Sequence, residues 1–349
     1  MRLPVHPDDD RRGRGPLRLG PPRNTPRSLR TTLWPRIPHP NGGPTPRFGD
    51  GAAFRCGGRA VVWGWGRGCG GAAVRRRVVI TADDLGRESG TTEVIVSLLA
   101  EGHVSATTLI CVSPVAEEAA GQVRKLGVLP RVHVTLTSER GVPRWRPLDG
   151  AASLVEPDGT LSVDPMALGA RGEAGDVIGE ADAQLRWMRQ RGFAPVAADS
   201  HAGTLYGLHG RSWLAEALEW CARHGLAFRL PRDPAPYFGG PLPPPLAALH
   251  ERAVAHADAL GVAIPETIAT NRSTASELGA YERLRDDYLR RLAALPEGTS
   301  ELFLHPSRED AVEGPDGVVR SWEARLLRDP VWHDALRRED VEVVAGWWP

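Results

Sequence analysis

Apolar and polar positions along the chain alternate between two periods. Val78-Val79-Ile80-Thr81-Ala82 is a short β-branched run that stops at Asp83-Asp84-Leu85-Gly86, the pattern of a buried strand followed by a turn. From Thr92 to Ala100 the period lengthens, with Val94, Ile95, Leu98 and Leu99 on one face of a predicted helix. Ala106 to Val112 and Arg131 to Leu136 read as further strands, separated by a helical stretch from Val115 to Leu126. A proline- and glycine-rich loop, Gly141 to Pro165, leads to an amphipathic helix over Gly175 to Arg191 and a strand over Ala194 to Asp199. Trp213 to His224 is helical, and Leu226 to Leu230 is strand-like. Beyond a second proline-rich loop, Pro231 to Pro245, two helical stretches precede a strand at Ser300 to Leu304. Helices near Trp322 to Leu327 and over Val331 to Arg338, then a strand over Val341 to Ala345, complete the series.

Strands alternating with helices predict βαβ units and parallel pairing. Six or more such units after Val78 suit a closed or nearly closed barrel, TIM-barrel-like, better than a small open sheet. In that architecture the chemistry gathers at the C-terminal ends of the strands.

Composition adds boundaries to this picture. The 349 residues are 41% hydrophobic and 25% charged, an ordinary globular balance. No run approaches the roughly 18 apolar residues of a membrane-spanning helix, so an integral membrane protein is not expected. Four scattered cysteines support neither a disulfide framework nor a cysteine zinc site. Met1-Arg2-Leu3-Pro4 is not followed by the apolar core of a secretory signal, and a cytoplasmic location is expected. The net charge of zero hides a split. Residues 1–77 hold 16 Arg and 4 Asp, a balance of +12 that the remainder offsets with −12. Those residues also contain 14 Gly and 11 Pro, too polar and backbone-rich a mixture to fold, and are expected to form a disordered arm. Clustered arginine suits a nucleic-acid tether. Without interleaved aromatics or helical periodicity, the arm reads instead as upstream sequence translated from an early start codon. The expected organisation is therefore an extension over 1–77 and a folded domain over 78–349.

Candidate chemistry falls where a barrel would collect it. Asp83 and Asp84 end the first strand, His133 lies near the end of the third, Asp199 and His201 follow the fourth, and His305 follows the strand at 300–304. Singly, an Asp-Asp pair reads as a solvated turn and a lone His as structural. At matching strand ends they favour a divalent metal held by two imidazoles and a carboxylate, with positions left open for water. Neighbouring side chains diverge in an extended segment, so one of the two aspartates could bind the metal while the other serves as base.

These residues also resemble a known family. Thr81-Ala82-Asp83-Asp84-Leu85-Gly86, with Gly90, Glu93 and Ile95, is similar to the ADDFG opening of the YdjC-like (ChbG/HpnK) carbohydrate deacetylases. Val132-His133-Val134-Thr135-Leu136-Thr137-Ser138-Glu139, followed by Arg144 to Leu148, resembles that family's second motif (G-V-H-L-T-L). Asp199-Ser200-His201 resembles the third, and Glu301-Leu302-Phe303-Leu304-His305-Pro306-Ser307 the fourth, which usually ends H-P-G. The likeness spans roughly residues 78–347, with the motifs in order. Leu85 stands where phenylalanine is usual and Thr92 where asparagine is common. The third motif keeps only its first histidine, a D-S-H-x-G-T form that leaves the substrate open.

The resemblance implies a distorted, polysaccharide-deacetylase-like (β/α) barrel that removes N-acetyl groups from small amino-sugar oligomers with one divalent metal, Mg²⁺ or Zn²⁺ foremost. It implies Asp84, His133 and His201 as metal ligands, Asp83 as general base, and His305 as the acid that protonates the leaving amine. Asp199 would orient a ligand or the base, or else cap the following turn. Arg325 would pair with Asp83, or else be an exposed helix arginine. Trp145 and Tyr206 would stack on a sugar or pack in the core, while His103 and His209 are surface or structural residues. An N-acetylated sugar is the expected partner, rather than a membrane or nucleic acid, and the loops at 141–165 and 231–245 could serve as lids or homodimer contacts. Two other classes stay open: a metal-dependent hydrolase of another amide, ester or phosphoester on the same scaffold, and a non-enzymatic protein that binds nucleic acid through its arginine-rich arm.

Overall fold

A computed structural model describes residues 75–347 of the chain. The expected disordered arm falls almost wholly outside the described residues. The first strand begins inside its predicted boundary, at Arg76.

Eight strands are found among the described residues: β1 (Arg76–Leu85), β2 (Ala106–Leu109), β3 (Arg131–Val134), β4 (Ala197–Ser200), β5 (Ala227–Phe228), β6 (Ile268–Ala269), β7 (Gly298–Leu304) and β8 (Glu342–Val343). They pair in the order β5-β4-β3-β2-β1-β7-β6, with β8 added beside β1, and every pairing is parallel. Helices connect the strands, as parallel pairing requires. An isolated parallel bridge from Asp233, just past β5, to Thr267, beside β6, joins the two ends of this path. The sheet is thus a curled, distorted barrel, as the alternation of elements predicts.

The central strand shows why the run at 78–82 is apolar throughout. β1 lies between β2 and β7 with helices outside, and Val78, Val79, Ile80 and Ala82 are all buried. The outer helices present one apolar face each. Ile95 and Leu98 of the helix Ser89–Glu101 are fully buried, as are Leu218 and Cys221 of Leu214–His224. Burying each of the three aliphatic side chains among them stabilises the fold by roughly 1.5–3 kcal/mol. Four tryptophans, Trp145, Trp213, Trp220 and Trp332, are buried as completely. Among the described residues no helix is long and apolar enough to cross a membrane.

Five predicted strands are shorter than their apolar runs, and β6 lies in a stretch the pattern leaves without a strand. The loop at 141–165 is partly ordered by a Val155–Leu161 bridge, and the loop at 231–245 contains a short helix, Ala235–Phe238.

Candidate active site

The pairing of β1 with β2 slips by one residue between Ala82 and Leu85. A bulge of this kind locally suspends the strict alternation of faces. Asp84 absorbs it with a left-handed backbone, φ 74°, a conformation that aspartate tolerates better than most side chains. Both aspartates are therefore buried inside the mouth of the barrel instead of diverging. Thr108 of β2 secures the bulge: its hydroxyl donates to Asp83 Oδ1 at 3.0 Å and accepts from the Asp84 N–H at 3.3 Å. Gly86, φ 85°, closes the turn where a Cβ would sit 3.1 Å from the Ile110 carbonyl.

Register places the next pair. His133 and Asp199 are direct partners across β3 and β4, and the imidazole Nδ1 lies 2.6 Å from Asp199 Oδ1. A proton held there leaves the His133 Nε2 lone pair facing inward. His201, in the turn after β4, mirrors this arrangement, with Nε2 3.1 Å from Glu139 Oε1 and Nδ1 facing inward. The two inward nitrogens are 3.3 Å apart, and each is 3.3 Å from Asp84 Oδ1. That oxygen is buried with no hydrogen bond among the described residues. Three electron-rich atoms so close together repel one another unless a cation or proton lies among them. The donor set, two imidazoles and one carboxylate, fits a divalent metal with open positions, and it is the predicted Asp84, His133, His201 group. Asp83, His133 and Asp199 also lie close enough to chelate an ion, but Arg229 already bridges the two carboxylates, 2.6 Å from Asp83 Oδ2 and 2.5 Å from Asp199 Oδ2.

Electrostatics follow from these contacts. Burial opposes the charge on Asp83, but Arg229, then His133 and His305, outweigh it and hold the carboxyl below the usual range. Burial likewise opposes charge on Asp84, and Arg320, 2.7 Å from its Oδ2, with the His133 and His201 rings facing its Oδ1, holds it well below that range. On His133 burial is overcome by Asp199, then Asp84 and Asp83, and without a metal the imidazolium is pushed up to about 10. Against burial, hydrogen bonds from His201 pull Glu139 down to about 2.

His305 follows β7, and its backbone N–H donates to Glu323 Oε2 at 2.7 Å. Tyr288 donates to the other oxygen of Glu323 at 2.9 Å, so the helix Pro315–Arg328 anchors the histidine from behind.

The remaining expectations divide. Asp199 contacts His133 and Arg229 and does not cap the following turn. Arg325 does not reach Asp83. It is exposed, with its guanidinium 3.7 Å from the Tyr281 ring and 3.8 Å from Glu282. The arginine on Asp83 is Arg229, which also donates to Glu301 Oε1 at 2.8 Å. Trp145 is fully buried, its ring 5.7 Å from that of His201, and has no face free for a sugar. Tyr206 donates to the Arg229 carbonyl at 2.7 Å and packs on Phe228, so it braces the arginine. His209 bonds the Ala202 carbonyl, and His103 stacks on His333 beside Glu101, both apart from the site.

Sequence reasoning gave no role to Arg229, Glu301, Arg131, Arg320, Glu323 or Glu139. For three of them a signal was present. Arg131, Arg229 and Glu301 are charged residues within or bordering apolar strands, and such charges are buried only when paired. Arg131 and Arg229 both bind Glu301, at 2.7 and 2.8 Å.

A family model for YdjC-like proteins matches residues 77–338. A human protein named carbohydrate deacetylase is 30% identical over 300 residues, 78% of this chain and 90% of the relative. The mouse protein of the same name is 29% identical over 300 residues, 78% of this chain and 94% of the relative. A crystal structure from Enterococcus faecalis, provisionally named a cellobiose-phosphate cleavage protein, shares the fold with a TM-score of 0.61 at 19% identity, over 77% of this chain and 97% of its own. The family match runs from the second residue of β1 to the last helical residue before β8 and so takes in the whole constellation at the barrel mouth; the chain belongs to the YdjC-like family.

Proposed function

We propose that this chain is a metal-dependent hydrolase that removes N-acetyl groups from an amino sugar or a small amino-sugar oligosaccharide. The observation that carries this reading is the convergence of Asp84 Oδ1, His133 Nε2 and His201 Nδ1, buried and 3.3 Å apart, beside Asp83. The names of the human and mouse relatives support the substrate class.

One divalent ion, Mg²⁺ or Zn²⁺, would be held by Asp84, His133 and His201, and would supply a polarised amide carbonyl and an acidified water. Asp83, kept ionised by Arg229, takes the proton of the attacking water as the C–O bond forms. His305 gives a proton to the amide nitrogen as the C–N bond breaks, so acetate and a free amine leave together. Asp199 and Glu139 keep the two imidazoles in the tautomers that aim their lone pairs inward. Arg320 engages the outer oxygen of Asp84 and leaves the other free for the ion. Trp145 closes the side of the site against His201 and keeps water out.

The test is acetate release from a panel of N-acetylated sugars, with and without EDTA, alongside His133→Ala and Asp83→Asn. Activity restored by added metal and lost in both variants is expected. Acetate release that persists in EDTA, or survives Asp83→Asn, refutes the assignment.

A further inference from the structure

The two functional poles of the site stand on different strands. Asp84, His133 and His201 lie at the ends of β1, β3 and β4, whereas His305 follows β7. An amide whose carbonyl faces the first group and whose nitrogen faces His305 must send its sugar past His305, toward the ends of β5, β6 and β7.

That side of the mouth carries a line of aromatic rings. Phe303 of β7 meets His305 edge-on at 5.7 Å between centroids. Tyr237, in the helix Ala235–Phe238 after β5, stacks on Phe303 at 6.2 Å with planes 24° apart. Phe238 stands perpendicular to Tyr237 at 5.0 Å and is 41% exposed. Arg272, just past β6, is exposed, with its guanidinium 4.9 Å from the Tyr237 centroid and 5.7 Å from that of Phe238. Among the described residues its guanidinium hydrogen-bonds only the Tyr237 carbonyl, at 3.4 Å. Arginine lying over aromatic rings keeps most of its N–H donors at the rim, turned to solvent.

We propose that Phe238, Arg272 and the outer edge of Tyr237 form a subsite for a second sugar residue, one ring beyond the sugar that bears the acetamido group. This rests on the deacetylase reading above. Phe303 is nearly buried, with the Arg229 guanidinium 4.6 Å from its centroid, and adjoins His305, so it marks the inner end of the line beside the reacting sugar rather than a free face. Phe238 lies two ring steps further out and offers a free apolar surface, which suits the C–H face of a pyranose. The guanidinium beside it offers donors to the hydroxyls and ring oxygen of the same sugar. A monosaccharide fills only the inner position, whereas a disaccharide fills both. The short helix in the 231–245 loop would thus select for chain length.

The experiment compares kcat/KM for N-acetylglucosamine and for N,N′-diacetylchitobiose in the parent protein, Phe238→Ala and Arg272→Ala. In addition, calorimetric binding of both saccharides is measured on Asp83→Asn, with and without Phe238→Ala. The parent is expected to favour the disaccharide, and Phe238→Ala to lower the disaccharide-to-monosaccharide ratio about tenfold, the scale of one lost aromatic contact. Disaccharide binding to Asp83→Asn should weaken to match. A parent without preference for the disaccharide, or variants that reduce both substrates equally, overturns the subsite and leaves the deacetylase reading standing. If no sugar yields acetate, the deacetylase reading falls. The binding arm then decides the subsite, which is overturned if the disaccharide does not bind or if Phe238→Ala leaves its affinity unchanged.

Discussion

Replacing Arg229 with methionine isolates the electrostatic core of this site. The guanidinium touches three buried carboxylates: Asp83, Asp199 and Glu301. They do not suffer equally from its loss. Asp199 keeps His133, and Glu301 keeps Arg131 and Thr81. Asp83 is left with Thr108 as its side-chain partner. Removing one member of a buried ion pair costs about 3–5 kcal/mol, a large part of the roughly 5–15 kcal/mol that holds a domain together. If that cost arises chiefly from the stranded charge on Asp83, removing the charge must recover it. The double variant Arg229→Met with Asp83→Asn should therefore be more stable than Arg229→Met alone. The coupling should be about 2–3 kcal/mol, at the upper end for residues in direct contact. Urea unfolding at pH 7.5 in EDTA measures this cycle without a stabilising contribution from bound metal. Effects that add to within about 0.5 kcal/mol would refute the reasoning.

The pH dependence gives a second check on the same variant. In the parent, the carboxyl of Asp83 is held below its ordinary value of 3.8, so its stabilisation is present above that pH and lost as the pH falls through the folded-state value. Without Arg229, burial acts with less opposition and raises the folded-state value. The penalty in Arg229→Met should then be complete at neutral pH and shrink as Asp83 takes up a proton in acid.

Other predictions follow from neighbouring contacts. His133 is pushed up to about 10 without metal, so at pH 7.5 loading of Zn²⁺ should release about one proton, measured by calorimetry in buffers of different ionisation enthalpy. By the same linkage, the contribution of His133 to metal-free stability is complete below its unfolded value of 6.5 and fades toward pH 10, which pH-resolved melting would record. Asp199→Asn should weaken metal binding about 10–100-fold, because the amide no longer fixes the tautomer of His133; equilibrium dialysis showing unchanged affinity would contradict this role. Arg325→Ala, at an exposed position far from Asp83, should change stability by no more than about 0.5 kcal/mol and leave acetate release intact.

Residues whose roles depend on strand ends were legible in the sequence. Each of Asp83, Asp84, His133, Asp199, His201 and His305 interrupts or follows an apolar run, and parallel β-strands bring such positions to one end of a barrel. What alternation could not supply was the bulge at Asp83-Asp84, since the slip is fixed by β2 and its Thr108, not by the local pattern. Strand β6 escaped because two residues, Ile268 and Ala269, are too few to show a period. That Arg325 is an exposed helix arginine, the second of its two readings, rather than a partner of Asp83 has a geometric cause. Arg320 and Arg325 share the helix Pro315–Arg328, and residues five apart in a helix face directions about 140° apart. Because Arg320 points at Asp84, Arg325 points away from the barrel, toward Tyr281 and Glu282.

The residues that sequence reading missed share a physical property. A metal ligand must stand at a set distance and direction from other ligands, so it sits where backbone register can place it, and register leaves motifs. A compensating charge needs only proximity, because Coulombic attraction has no preferred direction and falls off slowly in a buried site. It can therefore arrive from any element with a long enough side chain. Arg320 comes from a helix and Arg229 from the position just after the two-residue strand β5, while Glu139 comes from the loop after β3. In each case a candidate ligand or base is backed by a group of opposite or complementary charge: Asp83 by Arg229, Asp84 by Arg320, His133 by Asp199 and His201 by Glu139, the last held in turn by Arg87. The inner residues can thus be sought as motifs along the chain. Their outer partners can be sought in the same sequence as charges that apolar strands would otherwise reject, as Arg229 and Glu301 are.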